Sequence, residues 1–142
     1  MIANTLKALI LATVVALTPS QPAQAFNNDQ FVWTSPGRYG SNVHLYVYWS
    51  LQCPHCHEAM PYLKRLPRKY PWVKVHLREV TKNPQYIDDY IAMAEATGQR
   101  AGSVPAFFYC GQMYSGWGDE FTTGGWLTGE LQTCHTNPAD FD

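Results

Sequence analysis

The chain of 142 residues has few charged side chains, and neither sign is in excess. Charged residues make up 15% of the sequence, and 10 basic and 11 acidic side chains give a formal net charge of −1. Proteins that bind nucleic acid through phosphate contacts carry a basic patch or stripe, so we expect no nucleic-acid partner. Four basic residues do cluster on one predicted helix, which we interpret as a solvated face, with a docking patch for an acidic partner as the alternative: Lys64, Arg65, Arg68 and Lys69.

The sequence also lacks an apolar run that would span a bilayer comfortably. The run Ala8–Leu17 has ten residues, whereas a transmembrane helix needs roughly 20. It is followed by the small-residue sequence Ala23-Gln24-Ala25, which is typical of a cleavage site. We therefore predict a secretory signal peptide over residues 1–25, with a short membrane anchor as the alternative.

Cleavage before Phe26 would leave residues 26–142 as one domain, long enough to bury a core. The mature protein is expected to be periplasmic or secreted, with no stable membrane insertion after the signal is removed. An exported chain enters an oxidising compartment, where disulfides persist.

Cysteine is scarce, but two of the four cysteines are only three positions apart, in Cys53-Pro54-His55-Cys56. The preceding run, Val43–Trp49, is β-branched and aromatic and predicts a buried strand. The following run, His57–Tyr70, has apolar residues close to helical spacing. Cys53 is therefore expected at the first turn of a helix, where backbone N–H groups and the helix dipole stabilise a thiolate.

This region resembles the thioredoxin superfamily, and its Cys-Pro-His-Cys motif resembles the active site of DsbA-like oxidases. The resemblance also includes Pro61 inside the helix and Val104-Pro105 where the family has a cis-proline. Further on, Pro105–Gly111 and Gly116–Glu120 are similar to the end of a glutaredoxin. The implied fold is α/β, a thioredoxin-like three-layer fold in which helices flank a central mixed β-sheet.

The resemblance implies an exported thiol–disulfide oxidoreductase with a redox-active Cys53–Cys56 pair and no cofactor or metal. Cys53 is the expected nucleophile, Cys56 the resolving thiol, and His55 the group that favours the thiolate and makes the disulfide more oxidising. Val104 and Pro105 are expected to bind extended protein substrates through the backbone. The partners would be protein thiols or disulfides and a membrane or soluble redox partner.

The remaining cysteines, Cys110 and Cys134, then form the second bridge among the three pairings that four cysteines allow. We favour a structural role for this bridge, and a second redox pair that relays electrons to the first is the alternative. One departure from the resemblance is Val47, because thioredoxins carry an acid six positions before the first cysteine. Glu58 and Glu79 are the candidates to replace it.

Other classes of function remain open. Residues 53–57 also match the c-type haem attachment motif C-x-x-C-H. In a haem protein of this kind, the second axial ligand could be a methionine elsewhere in the chain: Met60, Met93 or Met113. A zinc site could use the same motif together with Cys110 or Cys134 and His135. A non-catalytic binding module is the fourth interpretation.

The predicted elements follow the order β-α-β-α-β-β-α, with an additional edge strand at Phe31–Trp33. The predicted spans are a strand at Val43–Trp49, a helix from Pro54 to Leu66 ended by Pro67, a strand at Trp72–Val80, a helix from Asn83-Pro84 to Gly98, a hairpin of Ala106–Cys110 with Met113–Ser115, and a final helix capped by Thr122 or Thr123.

Overall fold

The computed structural model describes residues 31–141, so the predicted signal peptide and its cleavage site lie outside the described residues. Within this range the chain forms, in order, β1 (Thr34–Gly37), β2 (Gly40–Trp49), α1 (Pro54–Lys69), β3 (Val73–Glu79), α2 (Gln85–Ala96), β4 (Ala106–Tyr109), β5 (Gln112–Ser115) and α3 (Gly125–Thr136). A π-helical turn, Glu120–Gly124, leads into α3. No helix between residues 31 and 141 is both long and apolar enough to cross a membrane.

The strands form one mixed sheet around β2. Strand β2 pairs in parallel with β3 and antiparallel with β1 and β4, and β5 pairs antiparallel with β4. Val47, near the end of β2, lies between Leu77 of β3 and Phe107 of β4. Since β3 follows α1 and runs parallel to β2, the connection must cross over the sheet, as parallel pairing requires. The predicted α/β class with a mixed sheet is confirmed.

The side chains of β2 alternate between two hydrophobic clusters, one on each face of the sheet. Val43, Leu45 and Val47 pack with residues of α1 and α3. Tyr46 and Tyr48 point the other way and pack with residues of α2. A strand that is covered on both faces needs apolar residues at nearly every position, which explains why its sequence shows little polar alternation.

Helix α1 is longer than predicted, because Pro67 does not end it. Proline lacks the N–H that would bond to the carbonyl four residues earlier, but that loss falls in the last turn of the helix. The helix still closes with a hydrogen bond from Tyr70 N–H to the Leu66 carbonyl at 2.8 Å. The edge strand also differs: it forms at Thr34–Gly37, just after the predicted Phe31–Trp33.

The ends of the other two helices also differ from the predicted caps. Helix α2 begins at Gln85, and the Asn83 side chain bonds back to the Glu79 carbonyl at 3.1 Å instead of capping the helix. Asp119 caps the turn before α3, accepting from the Thr122 N–H at 2.7 Å, so Thr122 is a member of the capping box and not its first residue.

A pair of stacked histidines occupies the part of the α2 face nearest the start of β2. His44 Nδ1 lies 2.8 Å from His76 Nε2, and His44 Nε2 lies 2.9 Å from the Ser35 hydroxyl. The two imidazole centroids are 5.1 Å apart with nearly parallel planes, and Tyr46 stacks on His76. Burial, and then the positive charge of Lys74, lowers the pKa of His44. Burial, then His44 and Arg78, lowers the pKa of His76.

This pair predicts that the free energy of unfolding falls as the solution is acidified. Both folded-state pKa values lie below 6.5, so on acidification the unfolded chain takes up protons before the folded protein does. The contribution of the two neutral histidines to the free energy of unfolding is therefore fully present above pH 6.5 and is lost as pH falls towards the folded pKa values. Urea denaturation of the mature protein at about pH 7.5 and about pH 5.5 measures the decrease. His44→Gln should make the decrease smaller, and His55→Gln, at an exposed position, should not. An equal decrease in wild type and His44→Gln would contradict the prediction.

Candidate active site

Cys53 and Cys56 lie where β2 connects to α1, and both are free thiols in the structure. Cys53 is the N-cap of α1, with extended backbone angles, and Pro54 occupies the first helical turn. The Cys56 backbone N–H donates a hydrogen bond to Cys53 Sγ at 3.2 Å. The sulfur thus takes the place of the oxygen that usually caps a helix, and it lies at the positive end of the helix dipole.

The two sulfurs are in very different surroundings. Cys53 is half-buried, whereas Cys56 is only 1% exposed. Burial above all, and then the hydrogen bond with the Cys53 side chain, raises the pKa of Cys56 to about 12. Cys56 is therefore a protonated thiol at neutral pH, out of reach of a large molecule in solution.

The segment Val104-Pro105 comes into contact with this cap from a distant part of the chain. The peptide bond between the two residues is cis. As a thiol, Cys53 donates to the Val104 carbonyl oxygen at 3.4 Å. The Pro105 carbonyl accepts from the Gly116 N–H at 2.8 Å, which ties the segment to the end of β5. The backbone N–H of Val104 makes no hydrogen bond to any residue from 31 to 141.

An apolar groove of about 280 Å³ runs beside Val104. Its walls include Val80, Ile87 and Ile91, and the two isoleucines are 44% and 43% exposed. The helical spacing of the apolar residues of α2 predicts one buried stripe that includes both isoleucines with Tyr90 and Ala94, but only Tyr90 and Ala94 of these four are buried. The groove is thus a feature that the sequence pattern alone did not reveal. Its only signal was an apolar stripe on α2 too wide for one buried face.

His55 is paired with an acidic side chain of the same helix. Its side chain is 66% exposed, and its Nδ1 lies 3.1 Å from Glu58 Oε2. Between residues 31 and 141 it makes no hydrogen bond to Cys53. The structure therefore brings His55 together with Glu58. The hydrogen bond that Cys53 Sγ accepts comes from the backbone N–H of Cys56.

Neither candidate acid bonds to Cys56 in the described part of the chain. Val47 is fully buried among apolar residues, and Glu58 is engaged with His55. Glu79, at the end of β3, accepts hydrogen bonds from the Thr81 side chain and from three backbone N–H groups, those of Leu51, Thr81 and Lys82. Desolvation raises the pKa of Glu79, but these hydrogen bonds outweigh it and lower the pKa to about 2. Glu79 thus anchors the turn before Cys53 as a carboxylate at neutral pH.

Cys110 and Cys134 form a disulfide that joins the β4–β5 turn to α3. Their Cα atoms are 6.3 Å apart, and each residue is 2% exposed. The bridge closes a loop with a sequence separation of 24, which stabilises the fold by about 3 kcal/mol. It lies at the end of β4 opposite Pro105, roughly 16 Å away at the rise of a strand. At that distance, sulfur-to-sulfur contact with Cys53 is excluded in this arrangement.

The zinc and haem alternatives do not fit the residues around the motif. The disulfide removes Cys110 and Cys134 as zinc ligands, and residues 31–141 contain no group of three or more His, Cys, Asp or Glu side chains arranged to hold a metal. For haem, Cys56 is too deeply buried for thioether attachment, and His57 Nε2 donates to the Leu51 carbonyl at 2.7 Å. Met93 and Met113 are both buried in the core on the α2 face.

The burial of the four cysteines predicts how they react with an alkylating reagent. After mild reduction near neutral pH, Cys53 should react first, Cys56 should lag because it is a buried and protonated thiol, and Cys110 and Cys134 should stay bridged. Peptide mass mapping of the folded protein over time measures the order, with an unfolded, fully reduced sample as the control. Labelling of Cys110 or Cys134 as fast as Cys53 would contradict this prediction.

The hydrogen bonds to Glu79 predict that Glu79→Gln loosens the turn before Cys53. A carboxamide cannot accept all four bonds, so amide hydrogen exchange at Leu51, Thr81 and Lys82 should become faster. Because the folded pKa is depressed, the carboxylate stabilises the fold above pH 4.5, and this contribution is lost as pH falls through about 2. The stability difference between wild type and Glu79→Gln should therefore vanish at low pH. Glu58→Gln, at an exposed acid, serves as the control and should leave the three exchange rates unchanged.

Comparisons with known proteins do not assign this chain to a family. No protein-family model matches it, and no curated protein matches it. What the chain does is therefore inferred from the chemistry and geometry of the site around Cys53.

Proposed function

We propose that this protein is a thiol–disulfide oxidoreductase that acts on protein substrates through Cys53 and Cys56. The observation that carries the proposal is the position of Cys53 Sγ. It caps a helix, accepts the Cys56 N–H at 3.2 Å, and lies 3.4 Å from the carbonyl of Val104. A half-buried cysteine at a helix N-terminus beside a deeply buried partner is the arrangement that an exchange reaction requires.

The arrangement of elements supports a thioredoxin-like fold for this proposal. From β2 to α3 the order is β-α-β-α-β-β-α. In the sheet, β3 and β4 lie on either side of β2, and β5 lies beyond β4. The dithiol follows the central strand, and the cis-proline precedes β4. The proposed setting is the periplasm or the exterior of the cell, which the buried second disulfide suits.

In the oxidising direction, a substrate thiolate attacks Cys53 Sγ of the Cys53–Cys56 disulfide. The S–S bond breaks, a mixed disulfide forms with Cys53, and Cys56 leaves with the electron pair and takes up a proton. A second substrate thiolate then attacks the substrate sulfur of the mixed disulfide and releases Cys53 as a thiolate. The substrate loses two electrons, the protein gains them, and a disulfide-bearing or quinone-type partner must remove them to restore the oxidised enzyme.

The surroundings of Cys53 favour this outcome at each step. The high pKa of Cys56, about 12, means that it keeps its proton once released. The released Cys53 thiolate is stabilised by the Cys56 N–H and the helix dipole. Stabilising the reduced form makes the disulfide a stronger oxidant. The same steps in reverse describe reduction of a substrate disulfide, in which the substrate gains two electrons and the protein loses them.

The substrate proposed is an extended segment of an unfolded protein. The free N–H of Val104 can pair with the backbone of an added strand, and such pairing does not depend on sequence. The apolar groove walled by Ile87 and Ile91 lies beside that edge and can receive an apolar side chain of the substrate. A folded protein could not present its backbone in this way, so we expect a preference for unfolded chains.

The decisive prediction concerns the two single-cysteine variants. Cys56→Ala should accumulate a mixed disulfide between Cys53 and an unfolded protein with scrambled disulfides, because no resolving thiol remains. Cys53→Ala should accumulate little, because Cys56 is buried and protonated. Non-reducing gels with mass mapping of the joined peptides measure the adduct, and circular dichroism checks that both variants fold.

The result that would contradict the proposal is the absence of an adduct with folded Cys56→Ala. A wild-type protein that fails to oxidise, reduce or isomerise the same substrate would also contradict it. In that case a non-catalytic binding module would become the better interpretation.

A further inference from the structure

A second cavity, of about 380 Å³, lies between the C-terminal half of α1 and the segment that leads into α3. Arg68, which lines it, lies fifteen residues beyond Cys53 in sequence, and thus about 22 Å along the helix. A ligand in this cavity would not touch the dithiol, and the proposed exchange chemistry makes no use of it. Its volume is within the range of pockets that bind small molecules.

The charged residues around this cavity are unbalanced. Arg65, Arg68 and Lys69 line it, with Glu120 as the one carboxylate among its lining residues. Arg65 is paired with Glu120. Within residues 31–141, the Arg68 side chain makes no hydrogen bond or ion pair, and the Lys69 side chain has only the ring of Tyr70, whose centroid is 5.3 Å from its ammonium nitrogen. Two cations at the rim therefore have no carboxylate partner among the described residues.

The floor of the cavity is aromatic. Tyr62 is 7% exposed and packs against Trp117, and its hydroxyl is bonded to the Gly124 carbonyl and to Thr128. Tyr70, half-buried at the end of α1, provides a second ring beside it. A solvated helix face, which is the simplest interpretation of the basic cluster in sequence, would have no such apolar recess behind its cations.

We propose that this cavity binds a small organic anion, with an acidic head group on Arg68 and Lys69 and an aromatic or otherwise apolar body on Tyr62 and Tyr70. A guanidinium offers two parallel N–H donors to a carboxylate, sulfonate or phosphate, and the ammonium adds a point charge. Charge complementarity selects the anion, and the volume of about 380 Å³ suits a compact molecule better than a polypeptide. The inference does not depend on the proposed redox function.

Glu120 sets how much positive charge the site presents. Its carboxylate holds Arg65 and lies on the same rim as the proposed head-group position. Removing that negative charge would free a third cation for the ligand. The site therefore predicts opposite effects from two exposed substitutions, Arg68→Gln and Glu120→Gln, which general loss of structure could not produce.

The test uses the mature, disulfide-intact protein and the fluorophore 8-anilinonaphthalene-1-sulfonate, an aromatic anion. N-phenyl-1-naphthylamine, which has the same rings without the sulfonate, is the uncharged comparison. Fluorescence titration should show saturable one-to-one binding of the sulfonate, weakened by salt, and markedly weaker binding of the amine. The variant Arg68→Gln/Lys69→Gln should lose about tenfold or more in affinity, the value of one charge-assisted hydrogen bond.

The matched control is Lys64→Gln/Arg100→Gln, which removes one lysine and one arginine at exposed positions outside the cavity. It should change the affinity by less than about twofold, which is smaller than the loss of one such bond. Glu120→Gln should strengthen binding. Equal weakening by the control and the cavity variant, or equal binding of the sulfonate and the amine, would overturn the proposal. Binding of hexaglutamate in place of the sulfonate would also overturn it, in favour of an acidic protein partner.

Discussion

The burial of β2 on both faces is the constraint on which the rest of the structure depends. This strand contributes to both hydrophobic clusters, through Val43, Leu45 and Val47 on one face and Tyr46 and Tyr48 on the other. It also pairs with β1, β3 and β4. No other strand among the described residues has three partners, and the end of β2 is held by β3 at Trp49 and by β4 at Tyr48. Cys53 follows that end after a short turn, so the position of the strand also determines the position of the Cys53 sulfur.

The difference between the two cysteines follows from the same constraint. Helix α1 must lay its apolar side on the β2 face, and this turns Cys56 inwards with Ala59 and Leu63. One turn earlier, Cys53 is at the cap, where the helix has no apolar side to bury. Burial thus raises the pKa of one thiol to about 12, while the other receives a backbone N–H. The chemical asymmetry that an exchange reaction needs is a consequence of packing one amphipathic helix.

The structural disulfide and the proposed reactive cysteine lie at opposite ends of β2. The Cys110–Cys134 bridge and the stacking of His135 on Trp72 hold the end at which β2 begins. Cys53 and Val104 lie at the end at which it finishes. The hairpin turn beside the bridge also has two consecutive residues with positive φ, Cys110 at 48° and Gly111 at 70°. A two-residue turn of this kind matches the twist of the flanking strands, although a side chain other than glycine is strained there.

Much of this arrangement was determined by the sequence itself. The apolar run of β2 correctly predicted a central strand, and the proline after Cys53 correctly predicted a helix start, because these signals act within one element. The order of the elements followed from the same local patterns, and so did the assignment of Cys53 to the start of a helix. The pairing of Cys110 with Cys134 was implied by the family resemblance, and the structure contains that disulfide.

Only the tertiary structure decided which distant groups meet. No local pattern states that Val104 contacts Cys53, that Glu79 holds the turn at Leu51, or that His55 pairs with Glu58. The exposure of Ile87 and Ile91 has the same cause, because the face that a helix buries depends on the neighbours available to cover it. Local patterns report the preferences of single elements, whereas contacts between elements depend on how the sheet and helices fit together, and that fit is a property of the whole packed chain.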